Sequence, residues 1–249
     1  YRQGDYIGKL GIESSYEEEL RGEKGVQILL RDVRGRIKGS YQNGKFDKAA
    51  VPGRSLYLSL DNELQKLGEH LLQGKIGTIV AIEPSTGEVL CLVSSPSYDP
   101  HMLIGADRSK NYQKLARDPY KPLYNRAIMG QYPPGSTFKT SQALTFLQEG
   151  VITPSTSFSC NHGFHFGHLK VGCHGHPSPL SLVPAIATSC NGYFCWGLYY
   201  MFGNKKKYGS VQNAMTRWKD YMVSMGFGYK LGIDLPGEKR GMIPNAQFY

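Results

Sequence analysis

The chain has 249 residues, 40% of them hydrophobic and 20% charged, and a formal net charge of +9. That balance excludes a disordered or fibrous polymer and leaves room for one or two packed domains. The charge alone would suit nucleic acid, but the bases are scattered, and their one run, Lys205-Lys206-Lys207, reads as a solvated loop. No apolar stretch reaches the roughly 18 residues that a bilayer-spanning helix needs, and no signal-peptide pattern is seen.

Within residues 1–52, Ser14-Ser15-Tyr16-Glu17-Glu18 predicts a helix start with capping serines and early carboxylates. Gln27 to Val33 alternates as a strand, Arg34 to Ser40 continues it as a twisted ribbon, and Asn43-Gly44 is a hairpin turn signal. This region is too small to fold securely alone. From Gly53 the pattern is mixed. Asn62 to Leu72 has helical apolar spacing. Gly77 to Ile82 reads as a buried strand, with Gly87 to Val93 as its hairpin partner across a turn at 84–87. Cys91 in that partner is read as a small core residue, as is Cys195. A long loop rich in Asp, Pro and Tyr runs to Arg126. Ser136 to Gly150 is an amphipathic helix with Phe138, Leu144 and Leu147 toward the core; Leu182 to Thr188 and Trp218 to Met225 are further helices. A strand hairpin followed by many helices argues an α+β fold.

Two short motifs carry chemistry. In Gln131-Tyr132-Pro133-Pro134-Gly135-Ser136-Thr137-Phe138-Lys139 a Pro-Pro-Gly turn leads into a helix, and positions three apart share a helix face. Lys139 can therefore sit against the Ser136 hydroxyl, a poor nucleophile that needs a base to take its proton. A lysine serves when burial and nearby charge lower its pKa. Ser-x-x-Lys also occurs by chance, as a helical turn with an exposed lysine. Ser189-Cys190-Asn191 follows the Leu182–Thr188 helix with the spacing of a tight turn that aims both polar side chains into one cleft. Ser189 could relay a proton and Asn191 could hydrogen-bond a substrate amide; alternatively, Asn191-Gly192 is a left-handed helix C-cap.

Together the motifs resemble those of the penicillin-recognising serine acyltransferases. Gly8-Lys9-Leu10-Gly11-Ile12-Glu13 and the residues up to Gly25 resemble the opening segment of class B penicillin-binding proteins. Gly53 to Gln65 is similar to the start of their transpeptidase domain, and Ala81 to Ser94 to its first hairpin. Asn125-Arg126-Ala127 and Gly232 to Glu238 fit the same pattern, so the resemblance covers almost the whole chain. It points to the elongation-type branch of the family. It implies part of a serine β-lactamase/penicillin-binding transpeptidase fold: a linker or pedestal over 1–52 and the N-terminal part of the transpeptidase domain over 53–249. The implied activity is a D,D-transpeptidase that crosslinks peptidoglycan stem peptides and is acylated by β-lactams. Ser136 would attack the penultimate D-Ala carbonyl, Lys139 act as base, Ser189 pass the proton to the departing D-Ala, and Asn191 orient the donor amide. No cofactor is needed for that chemistry. The family also implies an N-terminal membrane anchor upstream of Tyr1, a place on the periplasmic face of the inner membrane, and a cell-wall glycosyltransferase as partner. Nucleic acid is not among the implied partners, and a basic surface suits anionic wall polymer and lipid headgroups.

One departure stands out. The family's third motif, Lys-(Ser/Thr)-Gly, is absent from the sequence. It supplies a backbone donor to the oxyanion hole. The expectation is that the later part of the domain is missing from this sequence, leaving this chain impaired by itself. A β-lactamase or β-lactam sensor shares the first two motifs, and a non-catalytic wall-binding module could keep the fold.

Between the motifs, Cys160, His162, His165, His168, Cys173, His174 and His176 crowd one segment, with Cys190 inside the second motif. Tetrahedral zinc takes Cys thiolate and His nitrogen. Some elongation-type family members bind zinc with residues placed this way, which implies Cys160, Cys173, His176 and Cys190 as ligands, with His174 as alternate. A Cys160–Cys173 disulfide and merely exposed histidines remain alternatives.

Overall fold

A computed structural model describes residues 7–247. Contacts divide the chain into two compact units, one running to Gly130 and including Gly232–Glu238, the other formed by Gln131–Leu231 and the residues from Lys239 on.

The first unit begins with two short helices, α1 (Gly11–Ser15) and α2 (Glu17–Arg21), broken at Tyr16. Ser14 and Ser15 therefore end a helix and cap none, because helical backbone already begins at Gly11. Tyr16 is spent elsewhere: its hydroxyl donates to the Asp234 carboxylate. Strands β1 (Leu29–Arg31) and β2 (Ile37–Ser40) pair antiparallel across a turn that Asp32 closes by accepting from the Arg34 and Arg36 amides. The Asn43-Gly44 signal marks a 3₁₀ turn over Tyr41–Gly44 rather than a hairpin. The chain then returns to bridge Lys48 with Val26 and Val51 with Glu23.

Asp61 caps α3 (Asn62–Leu71) by accepting from the Glu63 and Leu64 amides, satisfying donors that have no intrahelical partner. This helix lies on the hairpin of β3 (Gly77–Ile82) and β4 (Val89–Ser95). Gly68 permits the approach, since a Cβ there would meet Val93 Cγ2 at 2.9 Å. Cys91 is fully buried under it. Strand β3, read from its apolar run as buried on both faces, instead alternates, with Val80 and Ile82 outward. The stretch read as a long loop contains α4 (Arg108–Arg117) and ends where α5 (Arg126–Met129) begins. Arg126 is buried, and its guanidinium donates to the Lys121, Tyr124 and Tyr120 carbonyls, while Ser94 Oγ accepts from its amide. Arg126 thus orders the loop through its side chain and ties it to β4 through its amide.

In the second unit a 3₁₀ turn over Gly135–Phe138 runs into α6 (Lys139–Gln148). The core face of α6 carries Ala143 and Phe146; Leu144, expected inside, is 59% exposed. A hairpin of β5 (Gly163–Phe166) and β6 (Leu169–Gly172) is followed by α7 (Leu182–Ala187) and α8 (Asn191–Gly203). Then come α9 (Lys205–Tyr208), which holds the lysine run, and α10 (Val211–Ser224), which starts seven residues before the expected Trp218. Phe146, Ala185, Cys190, Tyr193, Met201 and Met222 form a continuous buried core with Trp218. Helices α6 and α8 touch where Gly197 leaves space: a Cβ there would lie 2.4 Å from the Phe146 ring.

The far end of α6 is anchored by charge. Glu149, its C-cap, is buried. Its carboxylate accepts from Tyr208 and Lys207 of α9 and from Arg217 and Tyr221 of α10. Burial alone would raise its pKa, but these four donors outweigh that and hold it at about 2.

Candidate active site

Both helices that bear the motifs present their N-terminal ends to one place. In a 3₁₀ turn there are three residues per turn, so i and i+3 are eclipsed. Ser136 lies in such a turn and Lys139 is the first residue of α6, which puts Lys139 Nζ 3.0 Å from Ser136 Oγ. Ser136 is exposed, and Lys139 is half-buried. Opposite them, α7 ends at Ala187 and the chain turns through Ser189 into α8. The Ser189 amide donates to the Ile186 carbonyl and the Cys190 amide to the Ala185 carbonyl, the paired bonds of a Schellman motif. The left-handed residue of that motif is Ser189, with φ +52. Asn191-Gly192, the alternative left-handed C-cap in the sequence, does not play that part: Asn191 begins α8.

This turn aims three oxygens at the lysine. Lys139 Nζ lies 2.7 Å from the Ser189 carbonyl, 2.7 Å from Asn191 Oδ1 and 3.0 Å from Ser189 Oγ. The Asn191 amide is oriented by its other end, since Nδ2 donates to the Gly172 carbonyl at 2.8 Å, and a carbonyl only accepts. Ser189 Oγ donates to Ser136 Oγ at 2.8 Å. The Ser189 carbonyl and Asn191 Oδ1 are acceptors only, and they take two N–H groups of Lys139. A neutral amine has two N–H groups and one lone pair, and that pair is then left to face the two hydroxyls. Burial pushes the Lys139 pKa down, with the Cys173, Cys190 and Cys195 thiols opposing it.

Beside this group lies a cluster of soft donors. One ligand atom each from Cys160, Cys173, His176 and Cys190 lies within 4.8 Å of the others. All five cysteines are free thiols. Cys173 Sγ is 3.2 Å from His176 Nε2 and accepts from the Asn191 amide at 3.4 Å. His176 Nδ1 donates to the Pro177 carbonyl at 2.8 Å, which leaves Nε2 as the ring's lone-pair nitrogen, the way ligating histidines are oriented. Burial works to raise the Cys173 thiol, but the Asn191 amide, His176 and the Gly192 amide hold it at about 7; burial pushes Cys190 up to about 12. Tetrahedral zinc with bonds of about 2.3 Å places its donors about 3.8 Å apart, so the four residues fit such an ion with a small contraction. His174, the expected alternate, stands outside the set: its Nε2 lies 2.8 Å from the Thr188 carbonyl.

Comparison with known proteins agrees with this architecture. The penicillin binding protein transpeptidase domain family matches residues 77–249, and the penicillin-binding protein dimerisation domain family matches residues 1–58. The first match covers most of the chain, and the chain belongs to the penicillin-binding transpeptidases. Within that family it is 37% identical to the peptidoglycan D,D-transpeptidase MrdA of Acinetobacter baumannii, over all of this chain and 35% of the relative. The crystal structure of Pseudomonas aeruginosa penicillin-binding protein 2 in complex with WCK 5153 superposes with a TM-score of 0.75 at 33% identity, over 97% of this chain and 48% of that one. A chain of a peptidoglycan synthase complex that coordinates polymerization and crosslinking superposes with a TM-score of 0.80 at 28% identity, over 98% of this chain and 44% of that one. The chain spans about a third of the length of the curated relative it matches.

Two site features were beyond sequence reasoning: the left-handed backbone at Ser189 and the His174 contact with Thr188. Gly is the usual signal for the first, and it is absent there.

Proposed function

We propose that this chain carries the nucleophile and second motif of a peptidoglycan D,D-transpeptidase, with residues 1–52 as pedestal and 53–249 as part of the catalytic domain. The observation that carries the reading is the closed set of contacts among Ser136, Lys139, Ser189 and Asn191.

Neutral Lys139 takes the Ser136 proton as Oγ attacks the carbonyl carbon of the penultimate D-Ala. The backbone N–H of Ser136 donates to the developing oxyanion. As the tetrahedral intermediate collapses, the C–N bond breaks, and the proton on Lys139 passes through the Ser189 hydroxyl to the departing D-Ala amine. The acyl group is then an ester on Ser136. The amine of a second stem peptide attacks that ester, its proton returns to Ser136 Oγ, and the crosslink closes. Two moderate steps thus replace one difficult acyl transfer. A β-lactam enters as a donor mimic and stops at the ester. Asn191 fixes Lys139 and presents the site to the donor amide.

The four-donor cluster suits a structural zinc, which when bound ties the β6–α7 segment to the start of α8. Its role would be positional, because Cys190 stands between Ser189 and Asn191. The match to a chain of a peptidoglycan synthase complex supports a partner in wall synthesis, and the reading extends to a glycan polymerase as that partner and to the periplasmic face of the inner membrane. The test is labelling of the intact protein with a fluorescent penicillin. Ser136→Ala should lose all label and Lys139→Ala should slow acylation by about 10²–10⁴-fold; equal labelling of Ser136→Ala would overturn the proposal.

A further inference from the structure

Thr188 closes α7 as its C-cap. Carbonyls at a helix C-terminus have no following helical N–H and need outside donors. The Schellman bonds serve Ala185 and Ile186. The Thr188 carbonyl, one peptide before Ser189, is reached by His174 Nε2 at 2.8 Å from the loop after β6. A carbonyl can only accept, so Nε2 carries the proton. The peptides on both sides of the strained Ser189 are therefore held, the Thr188 carbonyl by His174 and the Ser189 carbonyl by Lys139.

We propose that His174 is a positioning residue for the acyl transfer: its Nε2–H grips the Thr188 carbonyl and keeps Ser189 in the left-handed conformation that aims Oγ at Ser136 and Lys139. Several observations favour this over a purely structural role. His174 is exposed, and an exposed hydrogen bond adds little to global stability, since water replaces the lost partner. Its ring is absent from the soft-donor cluster, so losing it leaves all four donors in place. What the bond does control is local, the orientation of one peptide next to a φ that non-glycine residues rarely adopt.

This rests on the transpeptidase reading, and the test separates the two. In the intact protein, the acylation rate constant and the apparent affinity for a fluorescent penicillin are measured for the wild type, His174→Ala and His174→Gln. If the wild type takes no label, the transpeptidase reading fails. The positioning claim is then read from amide exchange, where Ser189 and Cys190 should exchange faster in His174→Ala and at the wild-type rate in His174→Gln. With labelling intact, His174→Ala should lower the rate constant about three- to tenfold, the factor one hydrogen bond is worth. Affinity, melting temperature and bound metal per chain should stay unchanged. His174→Gln, whose amide N–H can reach the same carbonyl, should restore the rate. An unaltered rate in His174→Ala, a loss of metal from it, or the same slow rate in His174→Gln would each overturn the proposal. Should His174→Ala fail to fold, His174→Gln is compared with His174→Met, which cannot donate, and equal rates would overturn it as well.

Discussion

Ser189 holds a φ of +52 at the C′ position of a Schellman motif, where glycine is the residue of least strain. A serine there costs the fold about 1 kcal/mol, and its hydroxyl is 2.8 Å from Ser136 Oγ and 3.0 Å from Lys139 Nζ. Local preference and chemistry therefore pull in opposite directions at this position. Ser189→Gly should leave stability unchanged or raise it by up to about 1 kcal/mol, while acylation falls by about 10²-fold or more as the proton relay is lost. Chemical denaturation and penicillin labelling on one preparation check both halves; a destabilised variant with full labelling would contradict the assignment. Ser136 and Lys139 were legible by spacing, because i, i+3 alignment is a property of local helical backbone, and Asn191 by its place two residues after Ser189 in a tight turn. The strain at Ser189 was not, because only the backbone path from α7 to α8 creates it.

Helix α6 is fixed at both ends, by the Lys139 contacts at its start and by the Glu149 carboxylate at its finish. Apolar spacing marks Ser136–Gly150 as one helix and gives Glu149 no role, because a charged residue signals surface until its partners are known. Lys207 and Arg217 reach it from 58 and 68 residues away. Glu149→Gln should destabilise the protein by about 2–3 kcal/mol at neutral pH. Breaking a buried pair costs about 3–5 kcal/mol, and Lys207 and Arg217, 44% and 53% exposed, are screened by solvent. The pH sign follows from the depressed pKa. Folded Glu149 sits at about 2, below its ordinary value of 4.5, so its contribution is complete above about pH 4.5 and is lost as pH falls toward 2. The gap between wild type and Glu149→Gln, measured by denaturant unfolding, should therefore shrink between pH 5 and pH 3; a constant gap would refute the anchor.

Across the molecule, family membership and the α+β class were readable in sequence because they rest on segments whose residues lie close together in the chain. The strand hairpin of 77–95 and the helices around both motifs fall where periodicity puts them. The helix α4 was not seen, since its mostly polar composition lacks an apolar stripe. The Cys and His residues were legible as a group, but which of them converge was decided by packing. His176 turns its Nε2 to Cys173, whereas His174, two residues earlier, turns to Thr188. Metal analysis should find one zinc per chain in the intact protein. Its removal by chelator should slow acylation while Ser136 remains reactive, because Cys190 then no longer fixes Ser189 and Asn191 on either side of it. Unchanged acylation after complete metal removal would uncouple the cluster from the site.

The order of residues alone determined the serine–lysine pair, the second motif and the family, since each depends on spacings of a few residues that local backbone geometry converts directly into alignment. Only the tertiary structure decided which histidine joins the thiols, why a serine occupies a glycine position, and what secures the far end of α6. Those outcomes depend on groups distant in the chain being packed together, where burial and satisfied hydrogen bonds choose among partners that the sequence leaves equivalent.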